Sequence, residues 1–156
     1  MTDLIAPLTL VAALGAALVA GIFFAFSNFV MQALARLRPA SGIAAMQAIN
    51  VTVLNPGFFA LFFGTALAAL ALALTAAFSS QGGAYLIAGS LLYLLGCLLV
   101  TVVVNVPLNK KLEGMAPDSD EAAVLWQRYL VTWTRANHLR SLASLVAAAC
   151  FVMALR

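Results

Sequence analysis

The stretch LIAPLTLVAALGAALVAGIFFAFSNFVMQALA, residues 4–35, contains no charged residue and no histidine. A helix crosses a hydrocarbon core of about 30 Å with roughly 20 predominantly apolar residues, and this run exceeds that length. A second charge-free run covers residues 39–109, long enough for two spans. Ser79-Ser80-Gln81-Gly82-Gly83 divides it with turn chemistry. The last span is less obvious, because only residues 141–155 are free of charge near the C-terminus. Counting back about 20 residues from Leu155 reaches Ala136, which places Asn137, His138 and Arg140 in the membrane or its interface. The spans therefore read as about 4–35, 54–78, 83–105 and 134–155 of a single integral membrane domain, residues 1–156.

Composition agrees. Hydrophobic residues make up 65% of the chain and charged residues 8%, against about 25% charged in soluble domains. The net charge of +3 is small and scattered, which argues against nucleic acid as a partner. Cys97 and Cys150 each sit in an apolar run and read as small core residues, not as a disulfide or metal pair. Met1-Thr2-Asp3 lacks the positive start of a cleavable signal, and the run behind it is too long for one. The expected fold class is all-α: a four-transmembrane-helix bundle with short amphipathic helices on the cytoplasmic side.

Orientation follows from Lys and Arg. The 36–53 and 106–133 segments, with the adjoining helix ends, hold Arg36, Arg38, Lys110, Lys111, Arg128, Arg135 and Arg140, whereas the opposite side holds Arg156. The positive-inside rule puts both loops in the cytoplasm and both termini outside, in a multi-pass protein of the cell (inner) membrane. Ser41 is placed to cap a short helix with Ile43, Met46, Ile49 and Val53 on its apolar face and Gln47 and Asn50 beside it, along the membrane surface or tucked under the bundle. Asn55-Pro56 reads as the cap and first residue of the second span. Asp118 with Glu121 three residues later reads as a capping box for a helix that carries Trp126, Tyr129 and Trp133 through the membrane interface into the last span. Ala17, Gly21 and Ala25, and likewise Ala60, Gly64 and Ala68, form small-residue ladders. Such ladders bring backbones close, either within the bundle or between copies in a homo-oligomer.

Polar groups in hydrocarbon are unfavourable unless paired, so they turn inward and often mark function. Asn28 and Gln32 share a stripe with Phe24. Tyr93, Cys97, Thr101 and Asn105 recur at spacing four, with Asn109 beyond Pro107. Trp133, Asn137, Arg140 and Ser144 fall in one arc at 100° per residue, and His138 adjoins them with Thr134 and Ser141. All four spans thus bring polar groups to the same end, which reads either as a pocket open to the cytoplasm or as polar glue between helices. No span holds Asp or Glu, which argues against transport built on an intramembrane carboxylate. One histidine cannot make a zinc or di-iron site with the usual ligands, so no metal site is expected. There is no CxxC and no phosphate-cradling glycine loop.

Three stretches together carry a resemblance. The first is Gly21-Ile22-Phe23-Phe24-Ala25-Phe26-Ser27-Asn28, continuing to Met46-Gln47-Ala48-Ile49-Asn50 and Asn55-Pro56. The second is Val104-Asn105-Val106-Pro107-Leu108-Asn109. The third is Trp126 and Tyr129, then Trp133-Thr134-Arg135-Ala136-Asn137-His138-Leu139-Arg140. Over nearly the whole chain it resembles the integral membrane family described as anthrone oxygenase-like, formerly a domain of unknown function. The resemblance implies a cofactor-independent oxygenation of a lipophilic aromatic ketone whose acidic methylene loses a proton to give an electron-rich enolate. Such a site needs a base, donors for the enolate oxygen and an apolar slot. At the matched positions, residue chemistry offers His138 as base. Asn105, Asn109 and Asn137 serve as oxyanion donors and Arg140 as the stabilising charge. Phe24, Tyr129 and Trp133 sandwich the ring system, and Asn28, Gln47 and Asn50 complete the substrate-binding set. The competing reading is a non-catalytic membrane protein that binds a lipophilic ligand, membrane lipid or a partner. A haem with His138 as its single axial ligand is a third.

The Lys/Arg asymmetry makes a direct prediction. Reporter fusions at Pro117 and at Arg156 will report opposite sides of the membrane, and matching signals at the two sites would overturn the topology.

Overall fold

The computed structural model describes residues 2–77 and 83–156. The turn expected over residues 79–83 lies outside them except for Gly83, which opens the next helix. The described chain is an all-α bundle of five helices: α1 (Leu4–Ala35), α2 (Pro39–Thr52), α3 (Pro56–Ala77), α4 (Gly83–Glu113) and α5 (Asp120–Ala154). All but α2 are long and apolar enough to cross a membrane, which fits a membrane protein. At 1.5 Å per residue α5 is about 52 Å long, well beyond a hydrocarbon core of about 30 Å, so its first turns project past the span.

The helix starts show which capping chemistry prevails. Asn55 Oδ1 accepts the Phe58 N–H at 3.0 Å, and Pro56 opens α3, as the sequence pattern predicts. Two expectations are corrected. Helix α2 begins at Pro39, not after Ser41, because a proline is preorganised for the first turn and its missing N–H leaves nothing unpaired there. The cap of α5 is Ser119, whose Oγ accepts the Ala122 N–H at 3.2 Å, and not Asp118.

Two cores stack end to end. The larger joins α1, α3, α4 and α5 through Ala12, Ala16, Val19, Phe23, Phe62, Ala69, Leu72, Tyr93, Ala147 and Phe151. Close approach depends on glycines that face the neighbouring helix. A Cβ at Gly15 would run into Thr65, one at Gly96 would lie 2.5 Å from Ala143 Cβ, and one at Gly89 would lie 2.9 Å from the Phe151 ring. Gly21 and Gly64, at the centres of the two sequence ladders, meet nothing within 4 Å. Those ladder glycines face away from the bundle. Cross-helix hydrogen bonds from Ser90 to the Ala69 carbonyl, 2.7 Å, and from Tyr93 to the Phe62 carbonyl, 3.0 Å, tie α4 to α3.

The second core caps one end of the bundle. Ile43 and Met46 of α2 pack with Met31 and Leu34 of α1, Leu112 of α4, and Trp126, Tyr129 and Trp133 of α5. The three aromatics are buried at 1%, 0% and 5% exposure, so they do not stand at a lipid interface as the sequence suggests. Stacking along α5 explains it: ring centroids are 5.4 Å apart for Trp126 and Tyr129 and 6.0 Å apart for Tyr129 and Trp133. Gln47 donates to the Leu112 and Met115 carbonyls at 2.7 and 3.0 Å and so pins α2 to the end of α4.

Two of the long helices are widened by π-type turns, at Phe26–Val30 in α1 and at Leu92–Leu99 and Thr101–Asn105 in α4. Residues four apart drift by about 40° per step around a regular α-helix. Wider turns cancel much of that drift, which is why Tyr93, Cys97 and Asn105 all remain buried.

Packing makes Gly96 and Gly64 a matched pair. Gly96→Leu forces a side chain into Ala143 and lowers stability by about 1–3 kcal/mol or more, whereas Gly64→Leu changes it by no more than about 0.5 kcal/mol. Thermal unfolding in detergent measures both, and equal losses would contradict this helix packing.

Candidate functional site

Arg140 is the centre of the polar cluster. It is 4% exposed, yet its helix position puts it about 21 Å from Ala154, inside the apolar length of α5. One Nη donates to Asn137 Oδ1 at 2.6 Å and the other to Thr101 Oγ1 at 3.1 Å. The guanidinium lies over the Phe23 ring, 4.0 Å from its centroid, and 5.1 Å from that of Trp133. Its Nε is buried with no acceptor. Asn137, itself fully buried, turns its amide toward α1 and donates to the Phe23 carbonyl at 2.6 Å and to Ser27 Oγ at 2.7 Å. One asparagine thus joins the arginine to the widened turn of α1.

A cavity of about 200 Å³ opens beside this network. Arg140 and Thr101 lie at one end of it, with Asn105 and Asn109 one and two turns further along α4. Ile22, Phe23 and Phe26 of α1, Trp133 of α5, Phe58 of α3, Met46 and Ile49 of α2, and Val53 just after α2 supply the apolar walls. Asn50 adds an amide, and Leu54, Lys110 and Glu113, all exposed, mark the mouth. Asn109 Oδ1 accepts from both the Tyr129 hydroxyl and the Trp133 indole N–H at 2.8 Å. Asn105 Nδ2 donates to the Trp133 carbonyl at 3.3 Å, and its Oδ1 is buried without a partner.

The structure brings together Asn50, Asn105, Asn109, Trp133 and Arg140 at the cavity, with Asn137 behind Arg140 and Tyr129 behind Asn109. It does not bring His138 there. His138 is exposed on the outer face of α5, one residue past the buried Asn137. The same correction applies on α1. Phe24, 60% exposed, and Asn28, also exposed, face outward, while Phe23 and Ser27 face in. Gln47 serves the α2–α4 contact and does not line the cavity. A one-residue shift on a helix turns a side chain by about 100°, enough to exchange interior for lipid. The missed wall, Ile22, Phe23 and Phe26, was traceable through the run of small residues Ala12, Ala16 and Ala20, which continues on one face into Phe23 and Ser27. Phe58 and Glu113 had no such signal.

The arrangement can receive an anionic or strongly polarised oxygen beside a planar apolar body. Among the described residues no group of three His, Cys, Asp or Glu side chains converges as a metal would need. His138, the candidate haem ligand, lies outside the cavity. Residues 57–150, more than half of the chain, match the family model described as anthrone oxygenase. That stretch includes Asn105, Asn109, Tyr129, Trp133, Asn137 and Arg140, but not the α1 and α2 walls. No curated protein matches the chain, and no solved structure does.

Asn137→Ala removes the bonds to the Phe23 carbonyl and Ser27 Oγ, leaves an Arg140 nitrogen unpaired, and destabilises the protein by about 1–3 kcal/mol. His138→Ala, on the outer face, stays within about 0.5 kcal/mol. Thermal unfolding in detergent will separate the two. An equal effect would show that His138 is held by the bundle.

Proposed function

The chain belongs to the anthrone oxygenase family, and on that premise we propose that it oxygenates a lipophilic aromatic ketone through an enolate held by Arg140. The observation that carries this reading is a buried guanidinium with, among the described residues, no carboxylate beside it. Burying an ion removes several kcal/mol of hydration, which is recovered only by an opposite charge and full hydrogen bonding. Asn137, Thr101 and two aromatic faces supply part of that. An anionic ligand oxygen supplies the rest.

The cavity supports a flat aromatic body. Its volume of about 200 Å³ exceeds the roughly 150 Å³ apolar cavity that holds benzene. It therefore encloses one or two fused rings, while the remainder of a polycycle extends into the mouth. The mouth lies at the end rich in Lys and Arg, so the substrate enters from the cytoplasmic side or the adjoining leaflet.

The reaction is written as R₂CH₂ + O₂ → R₂CO + H₂O. Loss of a methylene proton gives the enolate, whose oxygen charge is stabilised by Arg140. The enolate passes an electron to O₂, and recombination at carbon followed by loss of water gives the ketone. The methylene proton leaves to solvent through the mouth, where the exposed Glu113 stands about 18 Å along α4 from Thr101.

Oxygen uptake by purified protein with an anthrone as substrate tests this. Arg140→Met will lower turnover by about 10²–10³-fold, the worth of one preorganised oxyanion partner. His138→Gln will leave it unchanged. Full activity in Arg140→Met would remove the arginine from the mechanism. Absence of uptake with any acidic polycyclic ketone would favour the ligand-binding alternative.

A further inference from the structure

Resting on the reading of this cavity as the substrate site, we infer that Asn105 is a specificity-determining residue that selects ligands carrying a hydrogen-bond donor one helical turn from the oxygen held by Arg140. Three residues of the cavity wall carry a buried, unpaired polar atom: Asn50 Nδ2 and Arg140 Nε are donors, and Asn105 Oδ1 is the one acceptor among them. Arg140 Nε is a donor without an acceptor, and Asn105 Oδ1 is an acceptor without a donor. Their residues are 4% and 1% exposed, so bulk water does not satisfy them.

The identity of the unpaired Asn105 atom follows from chemistry. Its other terminal atom lies 3.3 Å from the Trp133 carbonyl oxygen, and only the amide nitrogen can donate there. The atom left over is the oxygen. Asn109 differs: its Oδ1 already takes two hydrogen bonds, from Tyr129 and Trp133, so it offers the ligand only N–H. The cavity wall therefore presents several donors and a single unpaired acceptor among these groups.

Spacing sets the ligand pattern. Thr101 holds the Arg140 guanidinium at 3.1 Å, and Asn105 lies four residues further along the same helix, about 6 Å. A ring system with an oxygen and a hydroxyl in meta relation spans about one helical turn and meets both. A ligand with the same skeleton but no hydroxyl leaves the Asn105 oxygen buried and unpaired, a loss of about tenfold or more in affinity.

Equilibrium binding under anaerobic conditions, with full-length protein in detergent, tests the inference apart from any turnover. The probes are naphthalene-1,3-diol and 3-fluoro-1-naphthol, which are nearly equal in size and differ in whether the second substituent can donate. Wild-type protein is expected to bind the diol about tenfold more tightly. Asn105→Leu is expected to bind the two equally, and His138→Gln to keep the preference. Equal binding by the wild type, or binding of neither probe, overturns the inference, and neither result needs a variant that folds. Oxygen uptake that depends on Arg140 but is accompanied by no preference between the probes overturns this inference alone. Loss of that dependence, with the preference intact, overturns only the oxygenase reading.

Discussion

A guanidinium held away from water dictates much of this bundle. Transfer of an arginine to the middle of a membrane helix costs about 2.5–3.5 kcal/mol even on the mildest scale. Arg140 must therefore collect partners from every helix within reach. Asn137 Oδ1 comes from its own helix, Thr101 Oγ1 from α4, and the Phe23 ring from α1. Each of these is itself fixed. Asn137 is anchored by two short hydrogen bonds to α1, and Thr101 bonds back to the Cys97 carbonyl at 2.8 Å. The charge thus acts as a register pin that holds α1, α4 and α5 at one depth.

The widened turns belong to the same arrangement. Two of the three sit beside the polar network: Phe26–Val30 next to the carbonyl and hydroxyl that receive Asn137, and Thr101–Asn105 between two α4 residues that line the cavity. Such turns recur at functional sites because they change the angle of a side chain without ending the helix. Pro107 follows at once in α4, and the helix continues through it to Glu113. The Lys/Glu-bearing rim is thereby built on the same element as Thr101 and Asn105.

At the opposite end of the cavity the stacked aromatics of α5 do a different job. Trp126, Tyr129 and Trp133 form a rigid rib against which α2 is seated. Asn109 locks the lower two through one oxygen. Aromatic rings with few rotatable bonds, held by stacking and hydrogen bonds, keep the cavity wall in place without a ligand. Preorganisation of that kind is what an oxyanion site requires.

Composition and charge-free run lengths determined the helical class, the four long apolar helices and the capping of α3 by Asn55, since these depend on local chemistry and on the length needed to cross lipid. The arc of Trp133, Asn137, Arg140 and Ser144 was also legible, because α5 is regular and the 100° step applies along it. Only the tertiary structure decided which side of each helix is the inside. It turned Phe24, Asn28 and His138 outward and Phe23 and Ser27 inward, a choice set by which face α1 and α5 press together. It put Gly15, Gly89 and Gly96 at helix contacts instead of the more conspicuous ladders at Gly21 and Gly64. It also created the cavity, for which no single segment is responsible, because a space among five helices and its unpaired atoms exist only after residues far apart in the chain have been packed against one another.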